Sequence, residues 1–94
     1  MRLTEKEVNN LKASIKKDFA CAKLYLFGSR TDDSKRGGDI DILVVDPNMN
    51  KRDLRRIRLN FFSEFGEQKL DIVLDDGQFK DSFTKLILNG AIEL

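Results

Sequence analysis

Val8, Leu11, Ile15 and Phe19 recur at helical intervals behind Thr4-Glu5-Lys6-Glu7, whose spacing is that of a capping box. The pattern predicts a helix from about residue 5 to 19. Apolar runs then predict a strand over Lys23 to Phe27 and another over Asp39 to Val45, the second broken by Asp46-Pro47-Asn48 because proline cannot donate to a ladder. From Lys51 to Phe65, Leu54, Ile57, Phe61 and Phe65 form one stripe, which predicts an amphipathic helix ended by Gly66. Leu70 to Leu74 reads as a third strand closed by Asp75-Asp76-Gly77. Phe79, Phe83, Leu86 and Ile87 mark a last helix that stops at Asn89-Gly90, after which Ala91 to Leu94 adds a short strand or trails. This order predicts an α/β fold: a small mixed sheet with helices packed on one face and the other face open.

The open face is where the chemistry collects. Side chains alternate along a strand, so Asp39 and Asp41 share one face while Ile40, Ile42 and Val44 share the other. Two carboxylates side by side repel, and a hard divalent cation such as Mg²⁺ makes them tolerable. Asp71 repeats this logic, interrupting Leu70, Ile72 and Leu74 at the opposite parity. An ionised aspartate in an apolar strand costs several kcal/mol, roughly, unless paired or bound to metal. Three aspartates on two neighbouring strands suit a two-metal site. Just upstream, Leu24-Tyr25-Leu26-Phe27 runs into Gly28-Ser29-Arg30. A buried strand that ends in Gly-Ser hands its chain to a helix start, where unbonded N–H groups accept a phosphate.

Composition bounds the rest. A chain of 94 residues is read as a single domain, 1–94, because a chain this size hides only about two thirds of its unfolded surface and supports one core. Met1-Arg2-Leu3-Thr4-Glu5-Lys6 lacks the apolar region of a signal peptide, and no stretch approaches the roughly 20 apolar residues of a membrane span. A cytoplasmic protein without a membrane association is the expectation. The single cysteine, Cys21, has no histidine companion, which removes cysteine-histidine catalysis and ordinary zinc sites; it is expected to fill a gap between helix and strand. Seventeen basic against sixteen acidic residues leave a net charge of +1, which argues against holding long nucleic acid through bulk charge and leaves local patches open.

Gly28, Ser29, Asp39, Asp41 and Asp71, in strand-turn-strand context with Arg30 behind Ser29 and Gly37-Gly38 before the first aspartate, resemble the motif of the polymerase-β-like nucleotidyltransferase superfamily, and specifically its minimal bacterial and archaeal members. The resemblance covers nearly the whole chain. It implies the nucleotidyltransferase fold and an enzyme that moves a nucleoside monophosphate from an NTP, ATP first, to an acceptor hydroxyl, releasing pyrophosphate. By the same resemblance Asp39 and Asp41 would hold two Mg²⁺ ions. Asp71 would hold the catalytic one and help deprotonate the acceptor. Gly28 and Ser29 would cradle the β- and γ-phosphates and Arg30 would neutralise triphosphate charge. Minimal members often pair with small helical HEPN proteins in toxin-antitoxin modules, acting as antitoxin and adenylylating a tyrosine of the toxin. Larger relatives carry further domains that this chain lacks, so a HEPN-type partner or self-association is expected to complete the site. The alternative is a non-catalytic antitoxin or nucleotide-binding module that masks its partner. Transfer to tRNA or an antibiotic hydroxyl ranks last.

The spacer Thr31 to Arg36 departs from the commonest family pattern, which is one residue longer and carries a second basic residue; Lys35 and Arg36 are the candidates for that role. Asp32, Asp33, Asp75 and Asp76 read as turn residues. Lys51, Arg52, Arg55, Arg56 and Arg58 form a basic run on the second long helix, read first as a solvated face and second as a docking surface with Phe62 as anchor.

Overall fold

The computed structural model describes residues 1–34 and 38–94, so the expectation placed on Lys35 and Arg36 lies outside the described residues. Helix α1 spans Glu5–Lys16 and opens as its capping box dictates: Glu7 N–H donates to Thr4 Oγ1 at 3.1 Å and Thr4 N–H donates to Glu7 Oε1 at 2.9 Å. It stops three residues before Phe19. That side chain packs back onto the core from the following turn, whose N–H still donates to Ile15 O at 3.1 Å. Strands β1 (Lys23–Phe27) and β2 (Ile40–Val45) follow, with Asp39 just ahead of the second. Helix α2 (Lys51–Phe65) starts on Asn50, which accepts from Arg52 N and Asp53 N, and ends at Gly66, whose φ of +85° suits glycine alone. Strand β3 (Leu70–Asp75), the short helix α3 (Ser82–Leu88) and strand β4 (Ile92–Glu93) complete the chain.

The four strands form one mixed sheet in the order β3-β2-β1-β4. β1 runs antiparallel to both β2 and β4, while β2 and β3 run parallel, joined by the crossover helix α2. Leu24 and Leu26 from β1, Ile40, Ile42 and Val44 from β2 and Leu70 from β3 lie under Leu11 and Ile15 of α1 and Leu54, Ile57 and Phe61 of α2. This is the apolar face that the alternation predicts, and burying it supplies most of the driving force for folding.

Three further details differ from the sequence expectations. Cys21 is exposed, and Ala22, just ahead of β1, takes the buried place, in step with the inward positions 24 and 26 of the strand. On α3, Thr84 and Ile87 are buried while Phe83 is 53% and Leu86 70% exposed. The helix starts on the Asp81 cap, Phe79 stays ahead of it at φ +51°, and a two-turn helix can bury only one narrow stripe. In the basic run, Arg56 donates to Ser14 O at 3.1 Å and pairs with Asp18, and Arg58 donates to Leu70 O at 3.1 Å, so both tie α2 to its neighbours. Lys51, Arg52 and Arg55 are exposed, and Phe62 packs against the rim of the core.

Leu43 points away from the α1 and α2 layer and is nonetheless fully buried. Helix α3 lies against β1 and β2 and roofs the C-terminal half of this second face. The N-terminal half of β2 and β3 remains uncovered, with Asp41 half-buried and Asp71 exposed. No helix among the described residues is long and apolar enough to cross a membrane.

Candidate active site

The parallel register pairs Asp41 with Asp71 directly, one strand apart on the uncovered face. It does so because Ile40 and Leu70, both inward, pair one step earlier; burial of the apolar positions fixes the carboxylates' partners. The antiparallel register on the other side pairs Asp41 with Phe27, the last residue of β1. The chain then turns through Gly28–Thr31, a single 3-10 turn, at the edge of the two carboxylates.

Glycine is required at Gly28 twice over. Its φ is +78°, and a Cβ there would overlap Asp41 Oδ2. The turn therefore sits flush against the Asp41 carboxylate. A second close approach occurs at Gly38, φ +90°, where a Cβ would overlap Ser29 Oγ. Thr31 Oγ1 closes the turn on Gly28 O at 2.8 Å, and Asp32 N–H donates to Ser29 O at 3.2 Å. Asp32 also accepts from Ser34 N–H and Ser34 Oγ, the turn role expected of it, and Asp33 pairs with the Met1 amino group.

Arg30 is placed beneath the turn. Its Nη1 donates to Arg2 O at 2.9 Å and its Nη2 to Gly38 O at 3.4 Å, while Nε is buried with no hydrogen-bond partner among the described residues. The guanidinium thus holds the segments on either side of the turn together.

Burial first, then the charges of Asp71 and Asp39 and a hydrogen bond with Asp71, push the Asp41 carboxyl above its ordinary value of 3.8; the Lys69 ammonium pulls it partly back. Lys69 is a residue that the sequence reading passed over. Its Nζ lies 3.3 Å from Asp39 Oδ2, and that hydrogen bond, with the Asp39 and Asp71 charges, raises the lysine above 10.5. The signal was present as parity, since Lys69 precedes Asp71 by two residues just as Asp39 precedes Asp41, and parallel pairing sets 69 beside 39.

Among the described residues no three carboxylates close on one point, because Asp39 is engaged by Lys69 while Asp41 and Asp71 face each other. The donor set still fits a hard divalent cation. It offers oxygens only, and Asp41 and Asp71 are held together against their mutual repulsion, a conflict that a cation between them removes. Asp39 would join as a third donor by giving up Lys69.

Asp75 and Asp76 lie at the far end of β3 and do not belong to this group. Asp75 is buried and accepts from Gly77 N–H, Phe79 N–H and Thr84 Oγ1, shaping the loop into α3. A cavity of about 340 Å³ opens there, between Asp46, Leu74, Asp75, Lys80 and Thr84, away from the aspartate face.

Comparison with curated proteins returns no match. The family described as the nucleotidyltransferase domain, in contrast, matches residues 8–92, a span that holds the Gly28 turn and all three aspartates. On that match, and on a small α/β fold with a mixed sheet that agrees with the polymerase-β-like arrangement, the chain belongs to the nucleotidyltransferase domain family.

Proposed function

We propose that this chain, as a single domain, transfers AMP from ATP to an acceptor hydroxyl with the help of Mg²⁺, and that the acceptor lies on a partner protein of the small helical HEPN type, the chain acting as antitoxin in the cytoplasm. The observation that carries the reading is the direct pairing of Asp41 with Asp71, flush against the glycine turn that ends β1. Family membership supports nucleotidyl transfer in general, a reaction that takes an NTP and, typically, a divalent metal. Asp39, Asp41 and Asp71 are the candidate metal ligands, and Gly28, Ser29 and Arg30 the candidate nucleotide contacts.

A divalent cation at the aspartates supplies charge neutralisation for the triphosphate and acidifies the acceptor hydroxyl. The remaining steps fall to the chain's own residues. Gly28, lacking a Cβ, lets a phosphate approach the backbone, and Ser29 Oγ donates a hydrogen bond to it. Asp71, exposed on the same face, takes the proton of the acceptor hydroxyl as its oxygen bonds to the α-phosphorus. The bond from that phosphorus to the bridging oxygen breaks, and pyrophosphate leaves. The uncovered half of the face gives an acceptor protein room to reach the α-phosphate.

The test is incubation of the protein with Mg²⁺ and α-labelled ATP in host lysate, beside Asp41→Asn. Label moving to a discrete protein band with the wild type alone supports the reading. Transfer to RNA changes the acceptor, and absence of transfer to any acceptor with any NTP turns the reading to the masking module.

A further inference from the structure

The nucleotide turn is held from behind by a segment that no motif covers. Leu3 is buried in the core beneath the sheet, and the two residues ahead of it run alongside residues 29–33. Arg2 makes most of the connection. Its backbone N–H donates to Arg30 O at 2.8 Å, its Nε donates to Asp32 O at 3.0 Å and its Nη2 to Ser29 O at 3.0 Å. In return Arg2 O accepts from Arg30 Nη1 at 2.9 Å. Three carbonyls of the turn and its exit, those of Ser29, Arg30 and Asp32, are thus bonded by one residue.

These bonds have a directional consequence. In a planar trans peptide each carbonyl points opposite to the N–H that follows it. Holding Ser29 O and Arg30 O therefore fixes the N–H groups of Arg30 and Thr31 on the far side of the turn. Thr31 Oγ1 does the same for Ser29 N–H by binding Gly28 O. Each of these three carbonyls is thus engaged, which fixes the peptide planes of the Gly28–Thr31 turn. The Arg2 guanidinium also adds positive charge behind it, 3.9 Å from where a Cβ on Gly38 would lie, next to Ser29.

We infer that Arg2 is a positioning residue for the NTP: anchored by Leu3, its guanidinium fork ties Ser29 O and Asp32 O and so keeps the Gly28–Ser29 turn seated beside Asp41 for the triphosphate. The inference rests on the nucleotidyl-transfer reading and adds a residue to that same site. It also explains why Arg30 can afford to point its guanidinium at Arg2 O and Gly38 O: the two arginines brace the turn reciprocally.

The experiment compares wild type, Arg2→Ala and Arg2→Lys for binding of a non-hydrolysable ATP analogue with Mg²⁺ by calorimetry, and for KM and kcat in label transfer. Thermal melts run in parallel. Arg2→Ala is expected to weaken the analogue and raise KM on the order of tenfold, the consequence of a loosened cradle, with a smaller change in kcat. Lysine carries the charge without the planar fork, so Arg2→Lys should keep the wild-type melting temperature and still lose affinity several-fold. Variants that melt lower yet bind the analogue like wild type would overturn the inference and leave the transfer reading standing. A wild-type protein that binds no NTP and moves no label would overturn both.

Discussion

Replacing Gly28 by alanine separates two costs that the structure assigns to one position. The backbone there has φ +78°, and an L-residue in that region costs roughly 1–2 kcal/mol. For a chain of this size about 1 kcal/mol lowers the melting temperature by roughly 4–8 °C, so the backbone cost alone predicts a fall of about 4–16 °C. The second cost is local: the new methyl overlaps Asp41 Oδ2, the end of a side chain that can swing away cheaply but only by leaving its place opposite Asp71. A displacement of about 1 Å at such a candidate ligand is enough for roughly a hundredfold loss. Gly90→Ala is the control, since Gly90 has φ +87° with nothing within 4 Å of its would-be Cβ. Melting temperature, Mn²⁺ affinity by electron paramagnetic resonance and label transfer from ATP are measured for all three proteins. Both variants should melt lower by similar amounts, while only Gly28→Ala loses metal affinity and transfer. Equal retention of metal binding and transfer in the two variants would refute the argument that the turn is seated on Asp41.

Asp41→Asn should stabilise the metal-free protein at neutral pH, because the Asp41 carboxyl titrates above 3.8 in the fold and ionising it works against folding. The sign follows directly: the favourable contribution of the protonated form is complete below pH 3.8 and lost as pH rises through the raised value. Urea midpoints in EDTA should therefore coincide for wild type and variant at low pH and separate, with the variant ahead, as pH rises; a constant gap would contradict the assignment. Lys69→Met removes the cation that engages Asp39 and should tighten Mn²⁺ binding a few-fold, with weaker binding in the variant as the contrary result. Asp75→Ala strands Gly77 N–H and Phe79 N–H and leaves the Thr84 hydroxyl with Asp81 O as its one acceptor, and is expected to cost about 2–3 kcal/mol by denaturant melt while leaving Mn²⁺ affinity intact. Loss of metal binding in that variant would show that the two ends of β3 are coupled.

Strand and helix positions were legible in the sequence because burial imposes a period: Ile40, Ile42 and Val44 could only face the core together, which left Asp39 and Asp41 outward, and Leu11, Ile15, Leu54, Ile57 and Phe61 marked the faces of two helices. The Thr4 and Asn50 caps are local in the same way, each closed within four residues. The outward parity of Asp71 followed from the same rule. What periodicity does not contain is which strand lies beside which, and in what register. The pairing of Asp41 with Asp71, the contact of Lys69 with Asp39 and the seat of Gly28 on Asp41 are products of the parallel β2 and β3 crossover and of β1 lying antiparallel to β2. The exposed side of α3 escaped for another reason, since Phe83 with Leu86 and Thr84 with Ile87 are equally spaced, and only docking against β1 and β2 decides between them. Arg2 is the clearest case: residue types alone single out Gly28, Ser29 and the aspartates, while an arginine 27 residues before Ser29 acquires its place only when Leu3 is buried and the chain's first residues are drawn against the turn.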